Sequence, residues 1–268
     1  MDEYPVRVGA MLFTMVDPNR GHEVAYNRWY EHDHFYGGCM IGPGMLSGAR
    51  WVATRPLKDL RFPADSHFAE PVDAGSYLAI YWVNGGQEEE WLDWSSKQVW
   101  WLYENGRGFA ERTHAQTGIY DFKSSVASEG HAVSIALALN HRYPSMLVLV
   151  AEPAEGTTSE DLITALDGGP LADLLASAGD ARASSWTVRR RPGDHADKGS
   201  SPMPLGASGG SPDRVVQLIF SENGPTDDWH AVRAYAEAVE GAGLGRVTFA
   251  SPFMPTDFGT DRYTDELW

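Results

Sequence analysis

Residues 6–17 read VRVGAMLFTMVD, a mostly apolar stretch that is typical of a buried strand. The segments that follow it alternate between helical periodicity and further strand-like runs, with Pro, Gly and Asp between them. Their order is strand, helix, strand, strand, helix, strand. The predicted ranges after the first strand are a helix over 22–36, strands over 46–54 and 76–84, a helix over 87–105 and a strand over 112–123.

The run SMLVLVAE at 145–152 begins a second segment with the same order of elements. Thr158 or Ser159 can cap its first helix, because a side-chain hydroxyl accepts from the free N–H groups of the first turn. A long loop rich in Pro and Gly lies between the second and third strands of both segments, at 55–75 and at 191–213. The other predicted ranges are a helix to about 177, strands over 182–190 and 214–221, a helix over 226–241 and a strand over 245–253.

Two βαββαβ units in tandem predict an α+β fold. Each unit is ferredoxin-like, with a four-stranded antiparallel sheet and helices on one face. The bare sheet faces must be buried, so we expect the two tandem ferredoxin-like repeats to form an α+β barrel. The alternation of apolar residues at 133–139 predicts an extra edge strand. The predicted divisions are a first repeat over 1–125, a connector over 126–144 and a second repeat over 145–268.

The charge excludes several classes of partner. The chain carries 37 acidic and 21 basic residues, a formal net charge of −16, and such a surface repels nucleic acids and anionic membranes. The apolar stretches, such as Met146–Ala151, are too short to cross a bilayer. The single cysteine, Cys39, permits neither an intramolecular disulfide nor a cysteine-based metal site. The acidic start, MDEY, lacks an apolar signal core, so we expect a cytoplasmic protein.

Reactive side chains concentrate in the first repeat. Residues 1–125 hold 21 of the 31 aromatic residues, and the stretch 26–44, YNRWYEHDHFYGGCMIGPG, adds two histidines and a cysteine. On a helix Tyr26, Tyr30 and His34 share one flank because they are four residues apart. His32 then points away from His34, and with no third ligand in place we expect no metal site.

This cluster resembles a known family. Trp29-Tyr30 followed by His34, then Pro43-Gly44 and Arg50-Trp51, is similar to the W-Y-x3-H…P-G…R signature of EthD-like proteins in the dimeric α+β barrel superfamily. That superfamily includes polyketide cyclases, cofactor-free monooxygenases, muconolactone isomerases, dehydratases and haem-binding chlorite dismutase-like enzymes. The motif covers about 25 residues, while the order of elements extends the resemblance over both halves. The resemblance implies the fold more strongly than the reaction.

The resemblance implies a pocket between the sheet and the helices of the first repeat. His34 would be the acid/base, since an imidazole can both accept and donate a proton near neutral pH. Each functional role has a structural alternative. His34 would then only form a hydrogen bond with a strand carbonyl, and the tryptophan stripe on 87–105 would only fill the core. Arg112 beside His114 could meet an anionic or carbonyl group. The candidate catalytic residues are His34, Tyr30, Asp33 and His32, and the candidate substrate-binding residues are Trp29, Tyr36, Arg50, Tyr81, Trp101 and His114.

The sequence therefore predicts an enzyme that needs no cofactor and carries out elimination, isomerisation or cyclisation on a small apolar, aromatic or polycyclic substrate. The alternatives are a cofactor-free monooxygenase, a haem protein of the chlorite dismutase type and a ligand-binding barrel without catalysis. We expect a homodimer. The loop 191–213, with Asp194 and His195, is either a flexible surface excursion or a lid over the site.

Overall fold

Eight antiparallel strands form a closed barrel in the computed structural model, which describes residues 6–189, 202, 204 and 211–268. The order around the barrel is β1-β3-β2-β8-β5-β7-β6-β4. Each repeat contributes four neighbouring strands, in the order that the ferredoxin-like pattern requires. The strands are β1 Val8–Pro18, β2 Met45–Val52, β3 Tyr77–Asn84, β4 Arg112–Ala127, β5 Ser145–Pro153, β6 Ala181–Val188, β7 Val215–Ser221 and β8 Gly245–Pro255.

The helices pack on the outside of this barrel, so the predicted fold class, two tandem ferredoxin-like repeats in an α+β barrel, is confirmed. No helix among the described residues is long and apolar enough to cross a membrane. The α-helices are α1 Glu23–Trp29, α2 Arg55–Lys58, α3 Glu88–Glu104, α4 Ser159–Asp167, α5 Pro170–Ala178 and α6 Trp229–Gly241, with a π-helix at Tyr30–Met40 and a 3-10 helix at Ile135–Leu137.

Two unequal seams join the repeats. The β4–β6 seam runs from Tyr120 opposite Val188 to Ala127 opposite Arg182, with one register shift between Phe122 and Ser124. The β2–β8 seam is much shorter, because only Trp51 and Val52 pair with β8. Each seam unites the last strand of one repeat with the second strand of the other, and closure removes the exposed strand edges of both sheets.

The interior of the barrel is filled with large side chains. Trp82 of β3 stacks on Trp186 of β6 with ring centroids 5.9 Å apart, and its other neighbour, Phe220 of β7, lies at 6.0 Å edge to face. All three are fully buried, as is Phe13 of β1. Aromatic rings from both repeats therefore form one core.

Three local expectations differ from the structure. The helix predicted over 22–36 changes to π geometry at Tyr30 and continues to Met40. The helix predicted to about 177 is capped by Thr158 as expected but breaks at Gly168-Gly169, where Pro170 begins α5.

The connector holds a 3-10 helix instead of the predicted edge strand, and its apolar residues Val133, Ile135 and Leu139 pack against the barrel core. Packing on that core provides burial that an isolated edge strand would lack. Asp194 and His195 of the loop 191–213 lie outside the described residues.

The central tryptophan gives a direct test of the barrel core. Replacing Trp82 by Ala should lower the free energy of unfolding by about 3–5 kcal/mol, because it leaves a cavity. Trp82→Phe should cost less than half as much, since a ring remains and the buried indole Nε1, which has no described partner, is removed. Urea unfolding measures both, and equal costs would contradict this account of the core.

Candidate functional site

The π-helix sets the position of His34. In a π-helix hydrogen bonds run between residues five apart, so residues five apart overlie one another. His34 accordingly stacks on Trp29, with ring centroids 4.6 Å apart and planes 18° from parallel. It also meets the ring of Tyr30 edge-on at 5.4 Å. Gly38 makes room for the imidazole, because a Cβ there would lie 2.8 Å from its Nδ1.

The sheet facing His34 is incompletely covered by helices. On β1, Met11 and Phe13 point into the barrel and are fully buried, while Leu12 points to the helix side and is only half-buried. Its neighbour on β4, Ile119, is also half-buried. Solvent therefore reaches the helix side of these two strands. We call this surface the β1–β4 face, formed by Leu12, Thr14, His114, Thr117 and Ile119.

His114 on this face is held in one tautomer. Its Nδ1 lies 2.8 Å from Oγ1 of Thr117, and Arg112 Nε donates to its Nε2 over 3.2 Å. Because an arginine nitrogen only donates, Nε2 must carry no proton, and the hydrogen of the neutral ring is then on Nδ1. Thr14 adds a hydroxyl contact with Thr117 at 3.0 Å.

Trp29 is the centre of the cluster. Besides His34, the indole stacks on Phe109 with centroids 5.3 Å apart, and the guanidinium of Arg112 lies 4.6 Å over its ring. Its Nε1 donates to the carbonyl oxygen of Arg107 over 2.9 Å. These contacts join the π-helix to the segment that leads from α3 into β4.

Both imidazoles of the site are neutral. Burial, together with the positive charge of Arg112, lowers the pKa of His34 to about 3. Burial and Arg112 likewise lower the pKa of His114 to about 3. The ring nitrogens of His34 make no hydrogen bond with any described residue. The site thus contains one imidazole that is bonded at both nitrogens and one that is free to accept a proton.

Asp33 does not bond His34. Its carboxylate forms an ion pair with Arg107, whose Nε donates to it over 3.0 Å, and this hydrogen bond lowers the pKa of Asp33. Asp33 thereby holds the loop that carries Arg107 against the π-helix. Gln98 of α3 adds a second tie by donating to the carbonyl oxygen of Gly37 over 2.7 Å.

Three other candidates come together in a packed network beside the site. The hydroxyls of Tyr30 and Tyr81 are 2.8 Å apart, and both rings are buried. Arg50 is fully buried and donates through Nη1 to Glu31 over 2.9 Å and to Asn27 over 2.7 Å. As placed, these side chains contact other residues of the protein and not solvent.

The segment 256–268 covers this network. The backbone N–H of Gly259 donates to Glu31 over 2.8 Å, and Asn27 donates to the carbonyl oxygen of Thr260 over 2.7 Å. Leu267 is fully buried in the same cluster. A ligand could reach Arg50 only if this segment moved.

The remaining candidates lie outside the cluster. His32 is exposed, as the helical spacing predicts. Tyr36 and Trp101 are 51% and 47% exposed, and Trp101 contacts Arg107, not His34. Their proposed roles therefore receive no support from proximity to His34.

Sequence reasoning missed part of the site. Thr14 and Thr117 pair in register across β1 and β4, and strand alternation could have placed them on the same face as His114. Phe109 and Arg107 lie in an irregular segment after α3, where the sequence has no periodicity that would indicate the direction of a side chain. Nothing in the sequence distinguishes Glu31 from the other charged residues of its helix, and only the fold shows that it forms an ion pair with Arg50.

Comparisons with known proteins identify the fold. No protein-family model matches the sequence, and no curated protein matches it. An anthrone oxidase-like protein of known structure has a TM-score of 0.54 and 11% identity, covering 96% of this chain and 98% of its own. A chlorite dismutase-like protein has a TM-score of 0.52 and 9% identity, covering 98% of this chain and 100% of its own. The chain thus has the fold of the dimeric α+β barrel proteins.

The buried ion pair should dominate the stability of the region around it. Arg50→Met should cost about 3–5 kcal/mol in the free energy of unfolding, because Glu31 is left buried without a counter-charge. The double variant Arg50→Met with Glu31→Gln should recover much of that loss. Urea unfolding of both single variants and the double variant measures the coupling, and strictly additive costs would contradict it.

The neutral His34 should also make stability depend on pH. The unfolded chain binds a proton below about pH 6.5 and the folded His34 does not, so the free energy of unfolding falls as pH drops from 6.5 toward 3. His34→Gln should remove up to about 1.4 kcal/mol per pH unit of that slope. The midpoints of urea unfolding at pH 6 and pH 5 test this dependence, because both values lie above the pH range in which most carboxylates titrate. Identical slopes in both proteins would refute the neutral imidazole.

Proposed function

We propose that the chain is an enzyme that acts on a small aromatic or polycyclic carbonyl or hydroxyl compound, with His34 as the group that moves the proton. The observation that carries this proposal is the neutral imidazole of His34, without a described hydrogen-bond partner, stacked on Trp29 beside the half-buried β1–β4 face. The similarity of Trp29-Tyr30 and His34 to the EthD-like signature supports the same residue.

The chemistry follows from the state of the ring. A neutral imidazole can take a proton from a carbon next to a carbonyl, or from a hydroxyl, and return it elsewhere. As negative charge develops on the substrate, the imidazolium gains a counter-charge, and the pKa of His34 rises from its low value in the free protein. Elimination, isomerisation and cyclisation all begin with such a step, and none of them requires a cofactor.

The proposal assigns different roles to the other residues. Trp29 and the apolar pair Leu12 and Ile119 would contact the aromatic rings of the substrate, while His114 and Tyr30 would position it and His34. Asp33 holds the π-helix through Arg107. Several expectations remain predictions from the sequence. They are a catalytic role for His32, a cytoplasmic location, a homodimer, and contact of the substrate with Tyr36, Arg50, Tyr81 or Trp101.

Proton abstraction can be tested without knowing the natural substrate. Anthrone, a polycyclic ketone, exchanges its acidic C–H for deuterium in D2O, and the protein should accelerate that exchange. His34→Ala should reduce the accelerated rate about 10²–10⁴-fold, the usual contribution of a positioned acid/base. His32→Ala is the matched control, since that residue is exposed and two positions away. A folded His34→Ala protein with the full exchange rate would refute the proposal.

A cofactor-free oxygenase is the second candidate, and the shared fold with an anthrone oxidase-like protein favours it. The first step would be the same deprotonation, after which the carbanion reacts with dioxygen. Anthrone and one dioxygen would yield anthraquinone and one water. Oxygen uptake that accompanies turnover and is lost in His34→Ala selects this reaction, whereas exchange without oxygen uptake selects the first proposal.

The residues of the second repeat do not fit a haem. Of the described histidines of the connector and the second repeat, His131 bonds Tyr143 and Asp180, His141 bonds Glu222, and His230 is exposed on α6. The space between its sheet and helices is filled by buried leucines such as Leu162, Leu166 and Leu174. A barrel that binds a ligand without catalysis is the remaining alternative, and anthrone that binds without exchange would indicate it.

A further inference from the structure

We infer that the β1–β4 face binds an aromatic compound that carries a negatively charged oxygen, and that Arg112 provides the counter-charge. The inference rests on the proposed function for the place of the substrate and adds its chemical class. A carboxylate, an enolate or a phenolate on a planar ring system shares the required chemistry.

Arg112 is a buried cation without an anion. Its residue is 7% exposed, and no carboxylate of the described residues forms an ion pair with it. Removing a charge from water without a counter-charge is costly, so buried cations are normally paired. The buried Arg50 follows that rule through Glu31. Arg112 has no such partner among the described residues, and an anionic ligand would supply the missing counter-charge.

One nitrogen of Arg112 remains available. Its Nε donates to His114 and its Nη1 donates to the carbonyl oxygen of Phe109 over 2.6 Å, while no described residue accepts from Nη2. Arg61, which also forms no ion pair with a carboxylate in the described part of the chain, shows the contrast. Its three nitrogens all donate, to Ser251 and to backbone carbonyl oxygens. Every guanidinium nitrogen of Arg61 thus has an acceptor within the protein, whereas Nη2 of Arg112 has none among the described residues.

The surroundings of Arg112 are not negative, although the chain has a net charge of −16. His34 and His114 are neutral, and the nearby Asp33 is neutralised by Arg107. A low-dielectric site with one unpaired guanidinium attracts an anion more strongly than the same group would in water. An anion here would therefore not be repelled by the acidic surface elsewhere.

The apolar surroundings define the rest of the ligand. The guanidinium lies over the indole of Trp29, and the half-buried Leu12 and Ile119 lie on the adjoining sheet surface. A flat ring system could cover these side chains while its charged oxygen accepts from Nη2 of Arg112. In the proposed reaction, the proton taken by His34 leaves its negative charge on such an oxygen, where the guanidinium stabilises it.

Binding of two matched probes tests the inference without turnover. 2-Naphthoate and 2-naphthamide have the same ring system, and only the first is charged. We expect the protein to bind 2-naphthoate at least tenfold more tightly by isothermal titration, as a charge-assisted hydrogen bond gives. Arg112→Gln should abolish that preference and leave the affinity for 2-naphthamide within about twofold. Arg112→Lys should retain part of the preference, because it keeps the charge without the planar fork.

The double variant Arg107→Gln with Asp33→Asn is the matched control, because it removes a paired arginine of the same region together with its carboxylate, and it should keep the preference. Equal affinities of the unaltered protein for both probes, no binding of 2-naphthoate at millimolar concentration, or an unchanged preference in Arg112→Gln would each overturn the inference. His34→Ala separates the two proposals. It should keep the preference for 2-naphthoate, since it removes no charge, while losing the exchange of anthrone.

Discussion

The burial of two bare sheet faces against each other is the constraint on which the rest of this structure depends. Each repeat covers only one face of its sheet with helices, so neither repeat can bury its other face alone. The stacked pair Trp82 and Trp186 shows how the repeats solve this together, with one ring from each sheet in a common core. Closure through the β4–β6 and β2–β8 seams follows from that burial and leaves no free sheet edge.

Because the inner faces are occupied, a ligand can meet the sheet only on the helix side, and the two repeats differ there. In the second repeat, buried side chains of α4, α5 and α6 pack against the sheet. In the first repeat, α1 ends at Trp29, the π-helix carries His34, and the β1–β4 face is left half-covered. The second repeat therefore closes the barrel, while the first repeat carries the site for which a function is proposed. The aromatic excess of the first repeat serves both purposes, as core rings inside the barrel and as the Trp29 cluster outside it.

The fold could be predicted to a large extent, and the site only in part. Every predicted strand outside the connector is present within a few residues, because period-two alternation and apolar runs are local properties of a buried strand. The change from α to π geometry at Tyr30 was not predictable, since both helices place residues four apart on neighbouring positions. Arg50 was expected to face a substrate, but it lies in an ion pair with Glu31 beneath residues 256–268, more than 200 positions later in the chain. No local pattern records such a contact.

The sequence by itself determined the order of elements, the tandem repeat and the concentration of reactive side chains around His34. Those features depend on residue type and spacing along one stretch of chain. Only the tertiary structure decided that His34 is neutral, that His114 is fixed by Arg112 and Thr117, and that neither a hydrogen-bond partner of His34 nor a carboxylate on Arg112 is found among the described residues. These properties are set by burial and by contacts between distant segments. Electrostatic energies in a low-dielectric site depend on those distances and not on the order of the residues.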